Sequence, residues 1–204
     1  MAAVAFDLDD TLFDRDPALR RLLEEWKGAP LEEDEWATIR LADDGGQSPR
    51  RAFFHELARR FPQAGESARE LSQRFRHELP QHIVPDPLLV RALANLQSLG
   101  LPMAVLSNGS TAFQMAKLRA SGAAPFFTRD RILISASLGC AKPDPRAFAA
   151  LAARLGVPAG EVFFIGNDPE RDIAGALGAG MQASLLRHPG ELVQLLEISY
   201  HVAS

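Results

Sequence analysis

Five short apolar runs, set apart by helical patterns, constrain this chain more than any other feature. They are AVAFDL at 3–8, PMAVLS at 102–107, RILIS at 131–135, EVFFI at 161–165 and QASLL at 182–186. A run that is apolar on both faces is what a strand of a parallel sheet shows, because helices cover both sides of such a sheet. Helical patterns precede or separate the last four runs, at 86–99, 110–121, 145–155 and 169–179. Gly100, Gly122, Gly156 and Gly180 stand where those helices should be capped, and Asp144-Pro145 is a cap followed by a first-turn proline. Strands alternating with helices of this length imply βα units and an α/β fold.

The first run breaks this rhythm. Residues 14–83 carry no convincing strand, only helical patterns at 16–27, 31–41, 49–61 and 66–79. The third presents Phe53, Phe54, Leu57, Ala58 and Phe61 as one apolar stripe, which reads as core packing. DDGGQS at 43–48 is a polar turn. The chain is therefore expected to be a Rossmann-like parallel-sheet core, residues 1–13 and 84–204, interrupted by a helical cap domain at 14–83.

Composition excludes several classes. A net charge of −4 argues against a nucleic-acid surface. A lone cysteine, Cys140, leaves no internal disulfide and no cysteine zinc site. No apolar stretch approaches the roughly 18 residues that span a bilayer, and the N-terminus lacks a signal-peptide pattern. A cytoplasmic protein without membrane or nucleic-acid partners is expected.

The chemistry collects at the ends of the runs, where parallel sheets bind ligands. The first ends in Asp7-Leu8-Asp9-Asp10-Thr11. Alternation would send Asp7 and Asp9 to one side, and two such carboxylates repel unless a cation such as Mg²⁺ neutralises them. The second ends at Ser107-Asn108-Gly109, a hydroxyl and backbone N–H groups suited to a phosphate oxygen. Lys142, one of 3 lysines against 19 arginines, sits between a glycine loop and the proline-fixed helix start, as a point charge for phosphate. The fourth run ends at Gly166-Asn167-Asp168, with Asp172 four residues on. Helix capping would equally explain Asp168.

Taken in order, this set resembles the haloacid dehalogenase (HAD) superfamily. Asp7-x-Asp9-x-Thr11 matches its first motif, Ser107 its second, Lys142 its third and residues 166–172 its fourth. The insertion lies where that superfamily carries a helical "C1" cap. The resemblance implies a Mg²⁺-dependent phosphatase for a small phosphorylated metabolite. Asp7 would be the nucleophile, forming an aspartyl-phosphate, and Asp9 the general acid and base. Ser107 and Lys142 would hold the phosphoryl oxygens, with Thr11, Asn108 and Gly109 beside the substrate. Many members carry Gly-Asp at the fourth motif, whereas Gly166 here precedes Asn167. Asp168 is then preferred as the metal ligand with Asp7 and the Asp9 carbonyl, because a carboxylate binds Mg²⁺ better than an amide. Asn167 remains the alternative, and Asp172 a water-linked ligand or an orienting group.

Asp9 separates reaction classes. A phosphate ester needs a proton on its leaving alkoxide, and a halide needs none, so hydrolysis of phosphomonoesters is favoured over dehalogenation. A phosphonatase would want a Schiff-base lysine in the cap, where only Lys27 stands. A sugar-phosphate mutase and a non-catalytic phosphate-binding protein remain as alternatives. The cap should close over the site, with Arg15 and the DDGGQS turn as specificity candidates. Both monomer and homodimer are compatible with a helical cap.

Overall fold

The computed structural model describes residues 1–65 and 67–201. Glu66, the expected first residue of a helix, and the last three residues of the expected core lie outside the described residues. The chain forms two compact units, Met1–Asp14 with Pro85–Ser204, and Arg15–Val84. Each junction falls one residue later than the pattern of the sequence put it.

The shorter unit carries helices α1 (Arg15–Lys27), α2 (Glu33–Asp43), α3 (Arg50–Arg60) and α4 (Ala68–Glu78). Ser67 starts α4 through a reciprocal capping box with Glu70. The aromatic stripe is core: Phe53, Phe54 and Phe75 stack edge to face with centroids 5.3–6.5 Å apart. Arg15 does not face outward. It is 4% exposed and its guanidinium is bound by the buried Asp43 carboxylate, which also accepts from Arg50 at 2.8 Å and from the Gly46 N–H at 3.0 Å. Burial alone would raise the Asp43 carboxyl, but the Arg15 and Arg50 guanidinium groups hold it below its usual range. Arg15, a specificity candidate from sequence, has its charge on Asp43, where it fixes the turn that begins there.

The longer unit is built on β1 (Ala3–Phe6), β2 (Met103–Ser107), β3 (Ile132–Ile134), β4 (Val162–Gly166) and β5 (Gln182–Leu185). They form one parallel sheet in the order β3-β2-β1-β4-β5. β1 is central, with Phe6 beside Val105 on one side and Ile165 on the other, and all four of its residues are buried. β5 differs from expectation. It is an edge strand, with Gln182 and Leu185 exposed. The connecting helices are α5 (Pro87–Ser98), α6 (Thr111–Ala120), α7 (Ser135–Leu138), α8 (Pro145–Leu155), α9 (Gly175–Gly178) and α10 (Gly190–His201). The expected helix at 169–179 is not continuous: Pro169–Ala174 winds with the wider π pitch before α9. α7 and α10 have no counterpart in the sequence reading.

The sheet's pleat sorts the core. Ala3, Ala5, Ala104, Leu106 and Phe164 join Phe148 and Leu151 of α8 on one face, where Phe148 meets Phe164 edge to face at 5.5 Å. Among the described residues no helix is long and apolar enough to cross a membrane.

Candidate active site

The strand order reverses direction at β1: β2 and β3 run outward one way, β4 and β5 the other. A parallel sheet opens a crevice beyond the carboxyl ends of its strands at such a point. Asp7 is the first residue beyond β1, and its N–H extends the ladder to the Ile165 carbonyl at 2.9 Å. Ser107 ends β2 and Gly166 ends β4. Parallel topology therefore brings three of the four expected segments to one edge.

The fourth arrives through a side-chain clasp. Asn108 donates its amide to the Lys142 carbonyl at 2.9 Å, and its Oδ1 accepts from the Lys142 N–H at 2.9 Å. Asn108 was expected beside the substrate; its side chain anchors the Lys142 loop. The peptide between Lys142 and Pro143 is cis. Lys142 is buried, and its ammonium is bound to an Asp7 carboxylate oxygen and lies 2.6 Å from Asp172 Oδ1. Burial would lower the Lys142 pKa, but Asp7 and Asp172 more than reverse this and raise it. The same burial pushes the Asp7 carboxyl up to about 7, with Lys142 opposing and the nearby Asp172 and Asp9 adding to the rise.

Gly166 makes room for this cluster. A Cβ there would stand 2.5 Å from Asp172 Cγ. Asp172 Oδ2 accepts from the Asp168 N–H at 3.0 Å, so the acid is fixed from two directions. Asp168, preferred from sequence as the metal ligand, caps the following turn: its Oδ1 accepts from the N–H groups of Glu170 and Arg171 at 2.9 and 2.7 Å. The acid drawn onto Lys142 is thus Asp172, because only the residue one turn into the helix reaches back over Gly166.

Asp9 departs from the simple alternation. β1 ends at Phe6, and the chain folds into a turn with Leu12 N–H bonded to the Leu8 carbonyl at 2.9 Å and Asp10 at φ 53°. Asp9 and Asp7 consequently engage different lysines. Both Asp9 carboxylate oxygens lie 2.6 Å from Lys117 Nζ. Gln114, one turn earlier on α6, donates to Asp9 Oδ2 at 3.0 Å and to Ser107 Oγ at 2.6 Å. Thr11, expected at the substrate, is fully buried, and its hydroxyl has no hydrogen-bond partner among the described residues. The exposed Gly109 donates its N–H to Ser135 Oγ at 2.9 Å.

Lys117 and Gln114 are the residues sequence reasoning missed. Their signal was present: α6 buries Gln114, Lys117 and Leu118 together, two polar side chains where a core-facing helix presents apolar ones.

A central parallel sheet that sets two aspartates, a serine and a buried lysine at its carboxyl edge defines a hydrolase of the haloacid dehalogenase type. The chain belongs to the haloacid dehalogenase-like hydrolases, whose family model matches residues 1–180. It is 36% identical over 137 residues to a phosphoserine phosphatase of Thermus thermophilus, covering 66% of this chain and 53% of that protein. It is 30% identical over 197 residues to a glyceraldehyde 3-phosphate phosphatase of Methanothermobacter thermautotrophicus, covering 91% of this chain and 85% of that protein. The fold is shared with the HAD-hydrolase YfnB of Bacillus subtilis bound to magnesium, with a TM-score of 0.72 and 26% identity over 96% of this chain and 98% of that one.

Proposed function

We propose that this chain hydrolyses phosphomonoesters of small metabolites in the cytoplasm through an aspartyl-phosphate on Asp7. The observation that carries the reading is the joining of Asp7, Lys142 and Asp172 in one buried cluster with Asp9 and Ser107 alongside. The phosphatase relatives support the same reaction class.

The donor set fits magnesium. In this cluster three acids, Asp7, Asp9 and Asp172, meet two ammonium groups, those of Lys117 and Lys142, which leaves an excess of one carboxylate. The available donors are hard oxygens. Among the described residues no three His, Cys, Asp or Glu side chains are disposed to hold a metal. A pair of carboxylates, a backbone carbonyl and waters is, however, the kind of set that Mg²⁺ accepts. Asp7, the Asp9 carbonyl and an acid of the 167–172 segment would hold it: Asp168, with Asn167 the alternative and Asp172 through water. Bound there, the ion would offset the repulsion between the phosphoryl group and the carboxylates.

Asp7 attacks phosphorus, and the bond to the ester oxygen breaks. Asp9 enters the step protonated, gives that oxygen its proton, and as the carboxylate takes one back from the water that cleaves the aspartyl-phosphate. Lys142 and the Ser107 hydroxyl stabilise the equatorial oxygens. Purified protein should release phosphate from 4-nitrophenyl phosphate with Mg²⁺ and lose that activity on chelation. Asp7→Asn should fold and be inactive; a turning-over Asp7→Asn protein would remove the nucleophile assignment. A panel of metabolite phosphates then identifies the substrate.

A further inference from the structure

We propose that Lys117 and Gln114 of α6 are positioning residues of this reaction: together they hold the Asp9 carboxylate in register with Ser107 for proton transfer to the leaving group. The proposal rests on the hydrolytic reading above.

Lys117 is placed to meet this acid. It stands in the middle of α6 with a side chain 4% exposed, and a buried ammonium is costly unless an anion meets it. Asp9 supplies both oxygens at 2.6 Å. The Phe113 ring covers the ammonium at 4.5 Å and that of Phe13 at 6.0 Å, which favours the charge and limits its movement.

Gln114 adds the second constraint. Its Nε2 faces Asp9 Oδ2, Ser107 Oγ and the Asn108 carbonyl at 3.0, 2.6 and 2.9 Å. A carboxylate and a carbonyl only accept, so the amide nitrogen, not its oxygen, must point there. One side chain therefore ties the proton donor to the residue that steadies the phosphoryl oxygen. The fit is close: a Cβ on Gly109 would lie 3.0 Å from Gln114 Cδ. Asp9 is held without being enclosed, since 23% of its side chain stays exposed. A helix that buries a lysine and a glutamine on its core face breaks the local rule for packing, and such breaks belong at functional sites.

The test separates positioning from general stability by the leaving group. Steady-state kcat/KM covers the steps up to leaving-group release. It is measured on the full-length protein with Mg²⁺ for 4-nitrophenyl phosphate, whose phenolate departs without help, and for an alkyl phosphate, whose alkoxide needs a proton. Lys117→Met should lower kcat/KM about tenfold or more on the alkyl ester and less than about threefold on the aryl ester. Gln114→Leu should bias the two esters in the same direction, and it carries the test if Lys117→Met does not fold. Equal losses on both esters, or no loss, overturn the proposal while hydrolysis by the wild type stands. Wild-type turnover of the aryl ester alone removes the acid role of Asp9 and overturns it too. A wild type inactive on both esters overturns the hydrolytic reading itself.

Discussion

The Asn108 side chain closes a two-bond ring with the backbone of Lys142, donating to its carbonyl and accepting from its N–H, each at 2.9 Å. The loop after β3 is thereby clamped to the end of β2 across 34 residues of sequence. Asn108→Asp keeps the shape but sets a carboxylate oxygen against the carbonyl. With each bond contributing about 0.5–1.5 kcal/mol, a loss of about 1–3 kcal/mol is expected by urea unfolding. Phosphate release should fall at least about tenfold, because the misplaced charge belongs to Lys142, the group proposed above to steady the transition state.

Asp7 makes the metal-free protein sensitive to pH. Its carboxyl titrates at about 7 in the fold against an ordinary 3.8. Between those values the folded state keeps a proton that the unfolded chain releases, so this group's stabilisation is full below about pH 4 and is lost as pH rises to about 7. Asp7→Asn, neutral throughout, should remove that slope and melt higher than the wild type at pH 8 without metal. A wild-type melting temperature flat from pH 4 to 7 in chelator would contradict this. Magnesium should narrow the gap, since it favours the ionised carboxylate.

Gly175 and Gly178 lie on the same short helix and predict opposite outcomes. A Cβ on Gly175 would meet the Phe148 ring at 2.6 Å and the Pro143 Cα at 3.2 Å, whereas nothing stands within 4 Å of one on Gly178. Gly175→Ala should destabilise by about 1–3 kcal/mol through overpacking. Gly178→Ala should be neutral or stabilise by up to about 1 kcal/mol. Thermal unfolding of the two variants in parallel decides it.

Arg15→Met tests the electrostatics of the helical unit. Asp43 is 1% exposed, and removing the Arg15 guanidinium takes away one of the two cations named above that face its charge. A cost of about 3–5 kcal/mol is expected, read as a lower unfolding midpoint. Arg15→Met/Asp43→Leu, which removes both charges, should recover part of it.

Much of the fold was legible because buried parallel strands have a distinctive composition. AVAF and MAVLS can hardly be read otherwise, and Asp144 caps its helix as the sequence implied. The strand order was not legible, since nothing local tells β4 to join β1 on the side opposite β2. The candidate acids could be found from their positions after strands, but which lysine each would meet could not. Asp9 meets Lys117 across 108 residues, and Asp172 reaches Lys142 only because Gly166 has no side chain. Asp168 stayed ambiguous, because a carboxylate at a helix start serves capping and metal binding equally well. Lysine's rarity singled out Lys142; the same rarity, applied to a helix interior, would have found Lys117.

Every side chain given a chemical part here belongs to the unit of Met1–Asp14 and Pro85–Ser204, and the intervening seventy residues leave it five positions beyond Asp9. The machinery of bond breaking and the inserted segment can therefore drift at separate evolutionary tempos. The segment between Asp14 and Pro85 can be rewritten while every reacting atom keeps its own scaffold.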